Sequence, residues 1–146
     1  MTFSSRTARR AVLAGSAALL CAVATMAGAT AGIAGGATCK GEDATYVGTA
    51  GRDVFDGGPG RDVVVTLGGN DDIDAGGGND LICAGGGNDE IDGDAGNDRM
   101  YGQGGNDEMD GQSGDDVLIG GRGFDDADGE IGNDRCVAET EDDCER

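Results

Sequence analysis

The chain has 146 residues, 31 glycines, only five Phe or Tyr, no Trp, no His and a formal net charge of −19. So few large apolar side chains exclude a conventional globular core, and so few Lys and Arg argue against nucleic acid, whose phosphates need clustered cations. Without histidine a Ser-His-Asp or Cys-His site cannot exist, and cations are the natural partners of this charge.

The first element is a leader. Arg6, Arg9 and Arg10 precede an uncharged run from Ala11 to Cys39 rich in Ala, Leu and Val. A basic start followed by an apolar stretch and small residues reads as a secretory signal peptide over 1–31, with cleavage after Ala31. Its loss removes three arginines and no acids, which takes the net charge from −19 to −22. The mature protein is then expected to be extracellular, with no membrane association. Four cysteines remain, an even count that suits an oxidising compartment. Cys136 and Cys144 are close in sequence and are paired on that ground, which leaves Cys39 with Cys83. Residues 32–47 read as an N-terminal capping segment.

From Gly48 the chain is written in nines: GTAGRDVFD, GGPGRDVVV, TLGGNDDID, AGGGNDLIC, AGGGNDEID, GDAGNDRMY, GQGGNDEMD, GQSGDDVLI, GGRGFDDAD, GEIGNDRCV. Ten units run to Val137 without insertion. The fourth residue is always Gly and the sixth is always Asp: Asp53, Asp62, Asp71, Asp80, Asp89, Asp98, Asp107, Asp116, Asp125 and Asp134. The eighth is always apolar. A fixed period means stacked units that share a core. Glycine-rich residues one to six of each unit make a turn, and residues seven to nine a short strand whose middle residue faces in.

A second period lies over the first. In odd units the outward seventh and ninth residues are acidic apart from Val54. In even units none is acidic, and Val63, Val65, Leu81, Val117 and Ile119 form an apolar stripe. The structural repeat is therefore eighteen residues, with odd and even strands in separate sheets. The predicted class is all-β: a right-handed, two-sheet parallel solenoid over 48–137, closed by a tail at 138–146. Two occupants suit the apolar stripe: residues 32–47, tied down by Cys39 and Cys83, or a protein partner, including a second copy.

Ten aspartates in two registered columns repel one another and need a counter-charge. Hard oxygen ligands among glycine turns favour calcium over magnesium, which demands stricter geometry. No EF-hand frame is present. Carboxylate pairs abound, but they sit in repeated columns with no pocket, which argues against an enzyme.

The units resemble the G-G-x-G-x-D-x-U-x nonapeptide of the haemolysin-type (RTX) calcium-binding repeat family. The leader and the cysteine layout are similar to small secreted members from high-GC Gram-positive bacteria. The resemblance implies a parallel β-roll with calcium between turns of successive coils. Each ion would take the sixth-position carboxylates together with turn carbonyls, drawn here from Gly58, Gly60, Gly76, Gly78, Gly85, Gly87, Gly96 and Gly105. Five turns on each side leave four gaps, so up to about eight ions are expected. The turns around Asp80, Asp89 and Asp107 match the family best. Those carrying Thr66, Leu67, Arg122, Phe124 and Ile131 match less well.

Overall fold

The computed structural model describes residues 36–142 and Cys144; the leader expected over 1–31 lies outside these residues. A hairpin comes first, with β1 (Thr38–Cys39) antiparallel to β2 (Glu42–Asp43). Twelve short strands then alternate between two parallel sheets. One sheet holds β4 (Val54–Gly58), β6 (Asp72–Gly76), β8 (Glu90–Asp92), β10 (Glu108–Asp110), β12 (Asp126–Asp128) and β14 (Thr140–Asp142). The other holds β3 (Tyr46–Val47), β5 (Val63–Val65), β7 (Leu81–Gly86), β9 (Arg99–Gly104), β11 (Val117–Arg122) and β13 (Arg135–Val137). These are the odd and even sheets of the eighteen-residue coil, and no helix occurs among the described residues.

A three-residue strand cannot hold its shape alone, so each depends on the coil above and below. Registers keep the eighteen-residue step: Asp72 pairs with Glu90 and Glu90 with Glu108, while Leu81 pairs with Arg99 and Arg99 with Val117. The core is one side chain thick on each sheet. Phe55, Ile73, Ile91, Met109 and Ala127 come from the odd sheet, and Val64, Ile82, Met100, Leu118 and Cys136 from the even one; all are buried. These are the eighth residues of the units.

The stacking extends half a coil beyond the ten units at each end. Tyr46 continues the even core column backward, in register with Val64, and its ring lies 4.7 Å from that of Phe55. At the other end β14 joins β12 with Asp126 opposite Thr140, so the last connection is four residues shorter than the rest.

The fourth-position glycines follow from this stacking. At Gly96, with φ of 141°, an added Cβ would land on the carbonyl oxygen of Gly78 in the coil below. The same collision recurs at Gly87, Gly105 and Gly114. No side chain fits between turns packed this closely.

Both disulfides form as paired in the sequence, Cys39–Cys83 and Cys136–Cys144. The first fastens the hairpin across the even sheet. Cys39 and Ala44 pack with Val63, Val65, Leu81 and Cys83 in a second small core, and all six are buried. Lys40 Nζ sits 3.9 Å over the Tyr101 ring, and Arg61 pairs with Glu42 at 2.7 Å. Of the two occupants that suit the apolar stripe, the N-terminal segment is the one found over its first rungs. Val63, Val65 and Leu81 lie beneath the N-terminal hairpin and present no open face. Only Val117 and Ile119 of that set remain half-exposed, because the hairpin ends short of their rungs.

Candidate metal centre

Each sixth residue immediately precedes a strand, and its neighbour two places on is anchored in the core. That anchoring turns the aspartate side chain inward. All ten are buried apart from Asp62, which is half-buried at the open end of its column; the other nine are no more than 9% exposed. They form two columns along the edges of the roll: Asp53, Asp71, Asp89, Asp107 and Asp125 on one side, and Asp62, Asp80, Asp98, Asp116 and Asp134 on the other.

Within each column the carboxylates are tied by one repeated bond. The backbone N–H of Asp80 donates to Oδ1 of Asp98 at 2.7 Å, and that of Asp98 to Oδ1 of Asp116 at 2.7 Å. The opposite column does the same, with Asp71 donating to Asp89 at 2.9 Å and Asp89 to Asp107 at 3.0 Å. Oδ1 thus has a structural task. Oδ2 has none: in Asp71, Asp80, Asp89, Asp98, Asp107, Asp116, Asp125 and Asp134 it is buried without a hydrogen-bond partner. An unpartnered buried polar atom is costly, and eight in register amount to an unmet demand for positive charge.

The space around these oxygens supplies more donors of electron density. A Cβ placed on Gly93 would come within 3.0 Å of Oδ2 of Asp98 and 3.2 Å of the Gly111 carbonyl oxygen in the next coil. Gly111 stands in the same relation to Asp116 and the Gly129 carbonyl, and Gly102 to Asp107 and the Gly120 carbonyl. On the Oδ1 side, a Cβ placed on Gly78 would meet Oδ1 of Asp80 at 2.7 Å and the Gly60 carbonyl oxygen at 2.8 Å. Among the described residues no three His, Cys, Asp or Glu side chains converge. An ion held here must therefore complete its shell from backbone carbonyls, as oxygen-loving cations readily do. The donor set fits a hard divalent cation and contains nothing soft.

Electrostatics agree. Burial pushes Asp98, Asp107 and Asp116 up to about 6, against the partial relief of the amide bond each accepts. Burial also raises Asp80 and Asp89. Without a cation these sites hold charge reluctantly.

Of the eight expected carbonyl positions, Gly60, Gly78, Gly87, Gly96 and Gly105 lie in the fourth-residue row, each carbonyl facing the fourth glycine of the next coil. Gly58 and Gly76 lie in the second-residue row. Their carbonyls accept ladder bonds from Gly77 and Ala95, each at 2.9 Å. Gly85 lies inside β7, paired with Gln103. The first-position carbonyls of Gly111, Gly120 and Gly129, which border Oδ2, were not singled out by the sequence. The poorer-matching turns keep the same geometry: Asp71, Asp125 and Asp134 are as buried and as unpartnered as the central residues. Thr66 fits because its hydroxyl donates to the Ala84 carbonyl at 2.6 Å, and Leu67 accepts a φ of 74°.

A second ladder was also missed. The fifth-position asparagines of the third to seventh units are exposed, and each accepts the amide of the next coil: Asn88 N–H to Asn70 Oδ1 at 3.0 Å, Asn97 to Asn79 at 2.9 Å, Asn106 to Asn88 at 2.9 Å. The signal was present as five asparagines in consecutive matching positions of the central units.

The family model described as RTX calcium-binding nonapeptide repeat (4 copies) matches residues 47–82, 84–109 and 110–143. Comparison with curated proteins and with solved structures returns no match. The repeat, the parallel roll and the matched span together place the chain in the RTX calcium-binding nonapeptide-repeat family, as a calcium-binding β-roll of a structural, non-catalytic repeat type.

Proposed function

We propose that this is a secreted calcium-binding protein that folds when it meets extracellular calcium and has no catalytic activity of its own. The observation that carries the reading is the set of eight buried Oδ2 atoms with no partner. Stacked turns leave four gaps on each side, so the expected load is about eight ions. The ligands are the ten column aspartates, with fourth- and first-position turn carbonyls completing each shell.

Folding and binding are coupled by the charge. A metal-free chain of this composition opposes its own compaction, and the core is only one side chain thick on each sheet. Cation binding to the folded roll alone then contributes directly to folding free energy. Extracellular calcium modules bind at roughly 10⁻⁴ to 10⁻³ M, which suits a chain that stays unfolded inside the cell and orders outside. The leader expected over 1–31 and the two disulfides support export.

Circular dichroism of the mature chain during calcium titration tests this. A cooperative gain of β signal at millimolar calcium, reversed by chelator, is the expected result. A spectrum unchanged by calcium would sink the proposal.

A further inference from the structure

The ten-unit pattern ends at Val137, yet the odd sheet gains one more strand, β14 (Thr140–Asp142). In every complete unit an aspartate stands immediately before the strand. Before β14 stands Glu139. Its side chain does what the sixth-position aspartates do: Oε2 accepts the backbone N–H of Asp125 at 3.0 Å. That is the bond which the N–H of Asp107 gives to Oδ1 of Asp125, at 3.1 Å, one coil below. Thr140 follows suit, its N–H donating to the Asp125 carbonyl at 3.1 Å, just as Asp126 donates to Asp107 at 2.8 Å. Residues 138–142 are therefore an eleventh unit with four turn residues deleted. The longer arm of glutamate reaches the place that a full turn would have given to aspartate.

The lower wall of this last gap carries an independent sign of a missing ligand. Asp125 is 2% exposed and its Oδ2 has no partner. In the coil below, Oδ2 of Asp107 shares its pocket with the carbonyl of Gly120, the first residue of the coil above. Repeated one coil up, that placement would set Oδ2 of Asp125 facing the short segment Ala138–Glu139. The Cys136–Cys144 disulfide, with Cα atoms 5.8 Å apart, fastens that segment to the last even strand.

The geometry points to a further divalent-cation site at the C-terminal end of the odd column, held by the carboxylates of Asp125 and Glu139. Carbonyls of the 120–125 turn and water complete the shell, since the deleted turn contributes no glycine carbonyls. Water makes this the most exchangeable position of its column. The proposal rests on the calcium-binding reading of the complete turns and adds one ion to it.

Native mass spectrometry of the mature, disulfide-bonded chain in calcium is the test. Glu139→Gln keeps an oxygen acceptor for the Asp125 amide but removes the charge. It should bind one calcium fewer than the parent, with amide exchange at Asp125 still slow. Glu139→Asp should restore the count with a weaker last ion. Equal counts in the parent and Glu139→Gln would overturn the site while leaving the other positions intact. A parent chain that binds no calcium would instead refute the underlying reading. Should Glu139→Gln fail to fold, the parent still decides. Its Glu139 side-chain carboxyl resonance should move with that of Asp125 in a calcium titration, and a Glu139 resonance that stays fixed while the Asp125 resonance moves would overturn the proposal.

Discussion

Residues five and six of each unit are chain neighbours with opposite fates. Both form ladders along the roll, and both accept a backbone amide from an adjacent coil. The asparagine column is exposed, and Oδ1 performs its whole task in the fold. The aspartate column is buried and leaves a second oxygen without a partner. Where an amide acceptor is all that stacking needs, this chain uses asparagine five times and aspartate once, at Asp115. Aspartate at the sixth place, ten times in ten, therefore answers a different need, and a buried negative oxygen among carbonyls is an invitation to a cation.

The sharpest way to break the comparison is to make the sixth column resemble the fifth. Asp98→Asn keeps an acceptor for the Asp80 amide and removes the charge. If the columns differ as argued, the calcium midpoint of folding should rise by on the order of tenfold or more. A midpoint within about twofold of the parent would reduce the aspartates to amide caps. Titration followed by circular dichroism reads this directly.

Close stacking, which both ladders require, is tested by Gly96→Ala. The new Cβ meets the Gly78 carbonyl, and the residue must hold a φ of 141°. A loss of about 3 kcal/mol or more is expected in denaturant unfolding with calcium present. A loss below about 1 kcal/mol would show that the turns can separate.

Acidity should act on the buried aspartate column. Asp98, Asp107 and Asp116 stand at about 6 in the metal-free roll because burial disfavours their charge. The unfolded value is about 3.9. A raised folded value means stability that is fully present below the unfolded value and is lost as pH rises through about 6. In chelator, compaction should therefore strengthen as pH falls from about 6 to about 4. With calcium the sign reverses, because protons compete for the same oxygens, and more calcium is needed below about pH 6. Identical pH profiles with and without calcium would contradict this.

The smallest effect belongs to the fifth column. Asn97→Ala removes one exposed acceptor for the Asp115 amide, a bond of 3.1 Å that water can replace. A loss of about 1 kcal/mol or less, with the calcium midpoint unmoved, would confirm that the asparagines hold coils and not ions.

Much of the fold is legible in the order of residues alone. The period of nine, the alternation that doubles it to eighteen, the inward eighth residue and the aspartate column are all regularities between residues at fixed spacing. A parallel stack converts such spacing directly into position, so Ile73 had to meet Ile91 and Asp80 had to stand beside Asp98. The disulfide pairs are legible too, because one pair is local and leaves a single partner for the other.

What the repeat itself could not express required the tertiary structure. The division of labour between Oδ1 and Oδ2 depends on the rise from one coil to the next, which aims one oxygen at an amide and buries the other. The fate of Val63, Val65 and Leu81 depends on a hairpin from outside the repeat, brought over them by the bond from Cys39 to Cys83. The eleventh unit escapes a nine-residue count because its turn is four residues short, and only pairing across the sheet restores Glu139 to the sixth place. Periodic sequence determines what each residue repeats; contact between coils and with the ends determines which of its atoms remain free.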